Sequence, residues 1–334
     1  MSALKRIAVF TLGGTIASVP TKGGSEAVPT LTADALITAV PQLATVAKIE
    51  ATTFVQCASG DLTMKKLWEL SHAITAKVAA GFDGVVVTQG TDTLEESAFL
   101  LDLLIDDDMP VVVTGAMRNA GLAGPDGPAN LLAAVQVAAS PLAPGLGTLV
   151  VFADQVHLAR YARKTHSAFV DTFRSPNLGP VGWVTEGNVH IPVVPRGRTR
   201  GLALAEGQVD RLPRVATLKV GIDDDLALVR GVEDLGYEGL VIEAMGGGHL
   251  PSWTVEHIAE LAQRIPVVFA TRTGAGQVYE STYGFPGSEK DLLDRGLIGA
   301  GCLDGNKARL LLILLLAGGA SRDEIQTRFQ HEAL

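Results

Sequence analysis

Ile7-Ala8-Val9-Phe10-Thr11-Leu12-Gly13-Gly14-Thr15-Ile16-Ala17-Ser18 runs without a charge from an apolar stretch into two glycines and a threonine. A strand exposed on one face would alternate polar with apolar residues. Ile7–Leu12 does not alternate, so it reads as a parallel strand covered on both faces. The glycines then let the chain turn sharply at its carboxyl end. Working outward, Gly84–Thr88, Pro110–Thr114 and Thr148–Ala153 have the same continuous β-branched character. Helical stretches lie between them. Glu95–Leu104 opens with two acids, favourable at a helix N-terminus. Asn130–Ala139 follows the turn Pro125-Asp126-Gly127-Pro128. This alternation predicts a doubly wound, mostly parallel sheet.

The chain has 334 residues, 47% of them apolar, about twice the size of an ordinary single domain. The pattern weakens between Gly187 and Pro213, where Pro192, Pro195, Gly197, Gly201 and Gly207 interleave with Arg196, Arg198 and Arg200. Such a stretch reads as a connection between domains. Alternation then resumes with Val215–Val220, a helix near Asp225–Leu235, Gly239–Ala244, a helix over Val255–Arg264, and Pro266–Thr271. Two helices close the chain, about Asn306–Ala317 and from Ser321 onward. The predicted organisation is a larger N-terminal α/β domain over 1–200, a linker at 201–214 and a smaller C-terminal α/β domain over 215–334.

Several function classes drop out on composition. A net charge of -9 leaves no basic surface for nucleic acid or an anionic membrane. The longest apolar run, Leu310–Ala317, is far short of the ~20 residues that span a bilayer. No apolar leader with a small-residue cleavage site precedes Ile7, which points to a cytoplasmic protein. Cys57 and Cys302 fit neither a disulfide nor a metal pattern and read as buried free thiols. Gly13-Gly14-Thr15 is neither a P-loop nor a dinucleotide fingerprint, so no cofactor is expected, and no metal.

In open parallel sheets, ligands bind beyond the carboxyl ends of the strands. Two threonine-bearing turns fall there: the one at Thr15, and Gln89-Gly90-Thr91-Asp92-Thr93-Leu94-Glu95-Glu96 after Gly84–Thr88. Each offers a hydroxyl beside outward-facing amide groups suited to an oxyanion. The plain alternative is that each threonine merely caps the helix that follows. A threonine hydroxyl is a weak nucleophile and needs a base and an orienting partner. Lys164, in the loop His157–Thr165, can reach the same sheet edge, where Asp92 would pair with it. Equally, Lys164 would be an ordinary solvated loop residue.

These stretches resemble the motifs of the bacterial-type L-asparaginases. Leu12–Ser18 is similar to the family's first threonine motif and Gln89–Glu96 to its second. Further similarity lies in Ala39–Leu43, Pro110–Arg118, Asp126–Leu131, Arg163-Lys164-Thr165 and Lys307–Leu312, in family order along nearly the whole chain. The resemblance implies two domains, a homotetramer built as a pair of dimers, and sites completed by a neighbour's C-terminal domain. It implies Thr15 as nucleophile toward a side-chain amide, and Thr91, Lys164 and Asp92 as a second triad activating a hydroxyl or water. Ser59 would hold the substrate α-carboxylate, Asp92 its α-amino group, and the Ala116 carbonyl the leaving amide.

Four departures stand out, and the one at Gly60 falls at the amino-acid end of the implied pocket. Leu12 stands where the family usually has threonine. Gly60 replaces the glutamine beside Ser59, and His249 an asparagine. Val19–Pro29 lacks the tyrosine that usually activates the first threonine; Tyr279 or Glu280 would have to supply that group from a neighbour, unless Tyr279 and His249 simply pack an interface. The expected activity is therefore hydrolysis of L-asparagine, with L-glutamine poorer. Alternatives are another small amide, a D-amino-acid amide, an ester or a lactone handled by the same Thr15, or a non-catalytic amino-acid-binding module.

Overall fold

A computed structural model of the chain describes residues 3–20, 27–195 and 201–332. The segment Val19–Pro29 is thus described only at its ends, and residues 196–200 of the proline- and glycine-rich connection lie outside the described residues. The chain divides into two compact units, Met1–Gly201 and Leu202–Leu334.

The first unit is built on an eight-stranded sheet. Its parallel members are β1 (Lys5–Gly13), β4 (Ala47–Cys57), β5 (Gly84–Thr88), β6 (Val111–Thr114) and β7 (Thr148–Phe152). Between β1 and β4, β2 (Ser18–Pro20) and β3 (Ala27–Pro29) form a small antiparallel ribbon, followed by α1 (Ala33–Thr38) and α2 (Leu43–Val46). The antiparallel edge is β8 (Gln155–Leu158), β11 (Gly182–Thr185) and β12 (Asn188–His190). A separate ribbon pairs β9 (Arg163–Lys164) with β10 (Phe173–Arg174). Helices α3 (Met64–Ala79), α4 (Leu94–Leu104) and α5 (Gly127–Ala139) complete the unit. Every residue of β5, β6 and β7 is buried, as their uninterrupted apolar reading requires.

The strand order β12-β11-β8-β7-β6-β5-β1-β4 determines where chemistry can sit. From β1 the chain goes first to β4 on one side and then to β5 on the other. The order reverses at β1, and the crevice beyond the carboxyl ends of β4, β1 and β5 is the topological switch point.

The second unit carries a short helix α6 (Glu206–Val209) and a parallel sheet β13-β14-β15-β16, at Val215–Lys219, Gly239–Ala244, Val267–Thr271 and Ile298–Gly299. Helices α7 (Val255–Ala262), α8 (Glu289–Asp294), α9 (Gly305–Ala317) and α10 (Arg322–Glu332) accompany it. Residues 202–214 belong to this unit, where Gln208 donates to the Ala317 carbonyl at 2.9 Å. Buried leucines along α9 (Leu310, Leu311, Leu312, Leu314) make it the unit's central apolar helix, which explains why the longest apolar run in the chain is no membrane span.

Two expectations are corrected. The helix near Asp225–Leu235 is only a 3-10 turn over Ala227–Gly231. Asp224 and Asp225 spend their carboxylates on the backbone N–H groups of Leu226 and Ala227, and Leu226 is left-handed at φ 48, so regular helix cannot propagate through it. Cys57 and Cys302 are free, but partly exposed rather than buried.

Candidate active site

At the end of β1, Gly13 and Gly14 take φ of 96 and 79, conformations that L side chains rarely adopt. The crowding is as telling. A Cβ on Gly13 would fall 2.5 Å from the Cys57 carbonyl oxygen, and one on Gly14 only 2.1 Å from the Gly90 nitrogen. A Cβ on Gly90 would in turn approach Ser59 Oγ to 2.8 Å. The carboxyl ends of β4, β1 and β5 therefore meet backbone to backbone. Thr15, Ser59 and Thr91 lie immediately beside those contacts.

Neither threonine serves as a conventional helix cap. Thr15 is the first residue of a 3-10 turn whose cap is Gly14, and Thr93 rather than Thr91 precedes α4; neither cap accepts a helix N–H on a side chain. Thr15 is half-buried, and its turn is closed by Ala17 N–H and Ser18 Oγ donating to the Gly14 carbonyl at 3.0 and 2.9 Å. The Thr91 hydroxyl is buried and accepts from Lys164 Nζ at 2.9 Å. The same ammonium contacts Asp92 Oδ1 at 2.6 Å. Lys164 shows 16% of its side chain to solvent and Asp92 80%, so the lysine is withdrawn into the site while the carboxylate remains open to a ligand.

Lys164 is not a solvated loop residue. It lies on β9, held by pairing with β10, and its backbone N–H donates to the Glu95 carboxylate on the first turn of α4. Ser59 is buried, and its carbonyl accepts from Thr93 Oγ1 at 2.9 Å, tying the β4 and β5 turns together. Beside it Gly60 is exposed, with nothing within 4 Å of where a Cβ would be. Ala116 is buried in the turn after β6. Asp126 shapes that turn by accepting from the N–H groups of Met117 and Arg118, at 2.9 and 2.7 Å. Asn130 Nδ2 donates to the Gly115 carbonyl at 3.0 Å while its Oδ1 accepts from Ala153 N–H, also at 3.0 Å.

The remaining expected residues belong to the second unit. Glu280 and Tyr279 are exposed, and Tyr279 stacks toward Tyr283 with ring centroids 6.4 Å apart. His249 meets the rings of Tyr283 and Phe285 edge-on, and its Nε2 lies 3.2 Å from Glu289 Oε2. Burial alone would raise the Glu289 pKa, but N–H donation from Tyr283 and Thr282 together with His249 holds it below the usual carboxylate range. Among the described residues, no group of His, Cys, Asp and Glu side chains could hold a metal ion.

Four supporting residues escaped the sequence reading: Glu95, Asp126, Asn130 and His157. Glu95 and Asp126 stand inside quoted motifs, but a carboxylate bound to a distant amide has no periodicity to betray it. For Asn130 the sequence predicts only a helix start. His157 is fully buried in β8, where Nδ1 meets Ser175 Oγ at 2.9 Å. Burial, with the nearby Arg174 charge, lowers its pKa to about 4, so it is neutral at physiological pH.

The fold and the lysine-backed threonine pair at a switch point define a class, the two-unit α/β proteins with a hydroxyl site at the sheet's carboxyl edge. Comparisons with known proteins narrow it. The family model "Asparaginase, N-terminal" matches residues 6–195, and "Glutaminase/Asparaginase C-terminal domain" matches 214–329. A probable L-asparaginase of Deinococcus radiodurans is 40% identical over 333 residues, 98% of each chain. The L-asparaginase of Bacillus licheniformis is 36% identical over 316 residues, 94% of this chain and 96% of the relative. The crystal structure of a probable cytoplasmic L-asparaginase from Campylobacter jejuni superposes with a TM-score of 0.87 at 32% identity, covering 98% of this chain and 99% of that one. The chain belongs to the asparaginase family of hydrolases.

Proposed function

We propose that this protein hydrolyses the side-chain amide of L-asparagine to L-aspartate and ammonia through an acyl-enzyme on Thr15. The observation that carries the reading is the contact of Lys164 Nζ with both Thr91 Oγ1 and Asp92 Oδ1 at the edge that presents Thr15. In the first half-reaction, the Thr15 oxygen bonds to the amide carbon and the C–N bond breaks, releasing ammonia. In the second, water attacks the ester and frees Thr15. Thr91 Oγ1 accepts the proton of the attacking hydroxyl or water as its own proton passes to Lys164 Nζ, and Asp92 fixes the ammonium that results. Asp92 keeps an open carboxylate for the substrate's α-amino group. Buried Ser59 stands at the α-carboxylate end and the Ala116 carbonyl at the leaving amide.

Glutamine, one methylene longer, is the poorer substrate in this reading. Another amide, a D-amino-acid amide, an ester or a lactone is the second reading, favoured by the open space at Gly60. The proposal extends to a cytoplasmic homotetramer in which Tyr279 or Glu280 reaches a neighbour's site. Thr15→Ala should lower ammonia release from asparagine by at least about 10³-fold, and Lys164→Met by a comparable factor, since each removes a member of a unit. Intact turnover in the first variant overturns the nucleophile, and in the second the triad. Parallel assays on asparagine, glutamine and their D-forms decide the substrate; no turnover of any of them rejects the asparaginase reading.

A further inference from the structure

Lys164 comes to the site on a strand of two residues, β9, more than seventy positions along the chain from the threonine it contacts. The ribbon continues past β9, where the Thr165 N–H and Oγ1 both donate to the Thr172 carbonyl, but these bonds are internal to it and do not tie it to the threonine turns. Two bonds from outside supply the rest. On the far strand of the ribbon, Ser175 follows β10 and is tied to buried His157 in β8. On the near strand, the Lys164 backbone N–H is taken by the Glu95 carboxylate. Glu95 lies in the first turn of α4, four residues after Thr91 and three after Asp92. One short segment thus presents both side-chain partners of the ammonium and the acceptor for the same lysine's backbone. The two halves of the site share a clamp that neither half contains alone.

We infer that Glu95 is a positioning residue for the reaction: its carboxylate fixes the Lys164 backbone so that Nζ falls between Thr91 Oγ1 and Asp92 Oδ1. This rests on the role of Lys164 proposed above. A helix-terminal acid acting only through the α4 dipole would help to hold the helix and leave the chemistry alone. A clamp behaves differently, because a displacement near 1 Å of a catalytic group can cost about 10²-fold in rate. The relevant property is also not the charge. A Gln side chain at 95 offers an oxygen in the same place and can accept the same N–H.

The experiment is steady-state hydrolysis of L-asparagine by the full chain carrying Glu95→Ala, Glu95→Gln, Lys164→Met and the double variant Glu95→Ala/Lys164→Met. Thermal unfolding is followed alongside to establish that each is folded. Glu95→Ala should lose about 10- to 100-fold in kcat with KM within about twofold, since Ser59 and the open Asp92 oxygen are untouched. Glu95→Gln should recover most of that loss. With Lys164 already shortened to methionine, removing Glu95 should cost less than about twofold further, because nothing is left to position. The clamp is overturned if Gln is no better than Ala, or if Glu95→Ala costs the same factor in both backgrounds. Full activity in Lys164→Met removes the triad itself, and the clamp with it; impaired Lys164→Met with additive Glu95→Ala removes the clamp alone.

Discussion

Two glycines, Gly14 and Gly60, shape the candidate site in opposite ways at the residue scale. Gly14 is where the turns after β1 and β5 touch, and it also has positive φ, so Gly14→Ala fails on both counts. It should lose hydrolysis while the second unit's sheet stays folded, seen as lost ammonia release with much of the far-UV circular dichroism kept. Gly60 is the opposite case: its φ is ordinary and a side chain there would enter open space. Gly60→Gln introduces the side-chain amide that the family resemblance implies beside Ser59. One added hydrogen bond to the substrate's amino-acid end is worth about 1 kcal/mol, so KM for asparagine should fall about fivefold. An unchanged KM would show that the substrate does not extend over Gly60. Thr15, Thr91 and Asp92 were legible as candidates because turn chemistry is local in sequence, and Ser59 only through its resemblance to a family motif. Glu95 and Asn130 were not, because each works on a backbone group far along the chain.

Among the elements, β8 shows how a strand without a strong signal is held. Its hairpin with β7 turns on Ala153 and Asp154, both with positive φ, the arrangement of a type I′ turn without its usual Asn-Gly. Without an Asn-Gly signal, the sequence predicts a strand running through Ala153 and places His157 in a loop. The turn is steadied from outside, by Asn130 Oδ1 on the Ala153 N–H. Buried His157 makes this edge acid-sensitive. In the unfolded chain it would titrate near its ordinary value of 6.5, whereas in the folded protein it does so at about 4. The unfolded state therefore binds the proton first as pH drops. Stability should fall from pH 6.5 downward and reach a loss of about 3 kcal/mol near pH 4. His157→Gln should flatten the dependence of melting temperature on pH across that window; an unchanged slope would place the titration elsewhere. Strand β4 and helix α3 are not among the elements the sequence predicts, although Thr63 caps α3 and Leu67, Leu70 and Ile74 supply its buried stripe. Their signal was present and weaker than that of the all-apolar strands, because both remain half-exposed.

For the whole molecule, acidity and exposed aromatics pull in different directions. The net charge of -9 disfavours indiscriminate association, yet Tyr279, Tyr283 and Phe285 of the second unit expose 43%, 44% and 46% of their surface close together. A large apolar patch rimmed by charge is the usual mark of a specific interface. Sedimentation at micromolar concentration should give four times the 34.9 kDa chain mass, and a monomer would contradict the proposed tetramer. Tyr283→Asp should lower that mass, since it puts an unpaired charge into a patch expected to be covered.

The uninterrupted apolar runs at β1, β5, β6, β7, β14 and β15 were enough by themselves to determine a two-part parallel α/β protein. Burial on both faces of a strand is written directly into consecutive residues. The threonine turns were legible for the same reason, since glycine at a strand end is a local requirement. Tertiary structure alone decided that β4 and β5 flank β1, which brings Ser59 and Thr91 to the turn that carries Thr15. It gave the grouping of Lys164 with Thr91 and Asp92, which the motifs imply, its geometry, and it alone put Glu95 on the lysine's backbone. Those contacts join residues tens of positions apart, and their energy depends on where whole strands pack rather than on any neighbour in sequence.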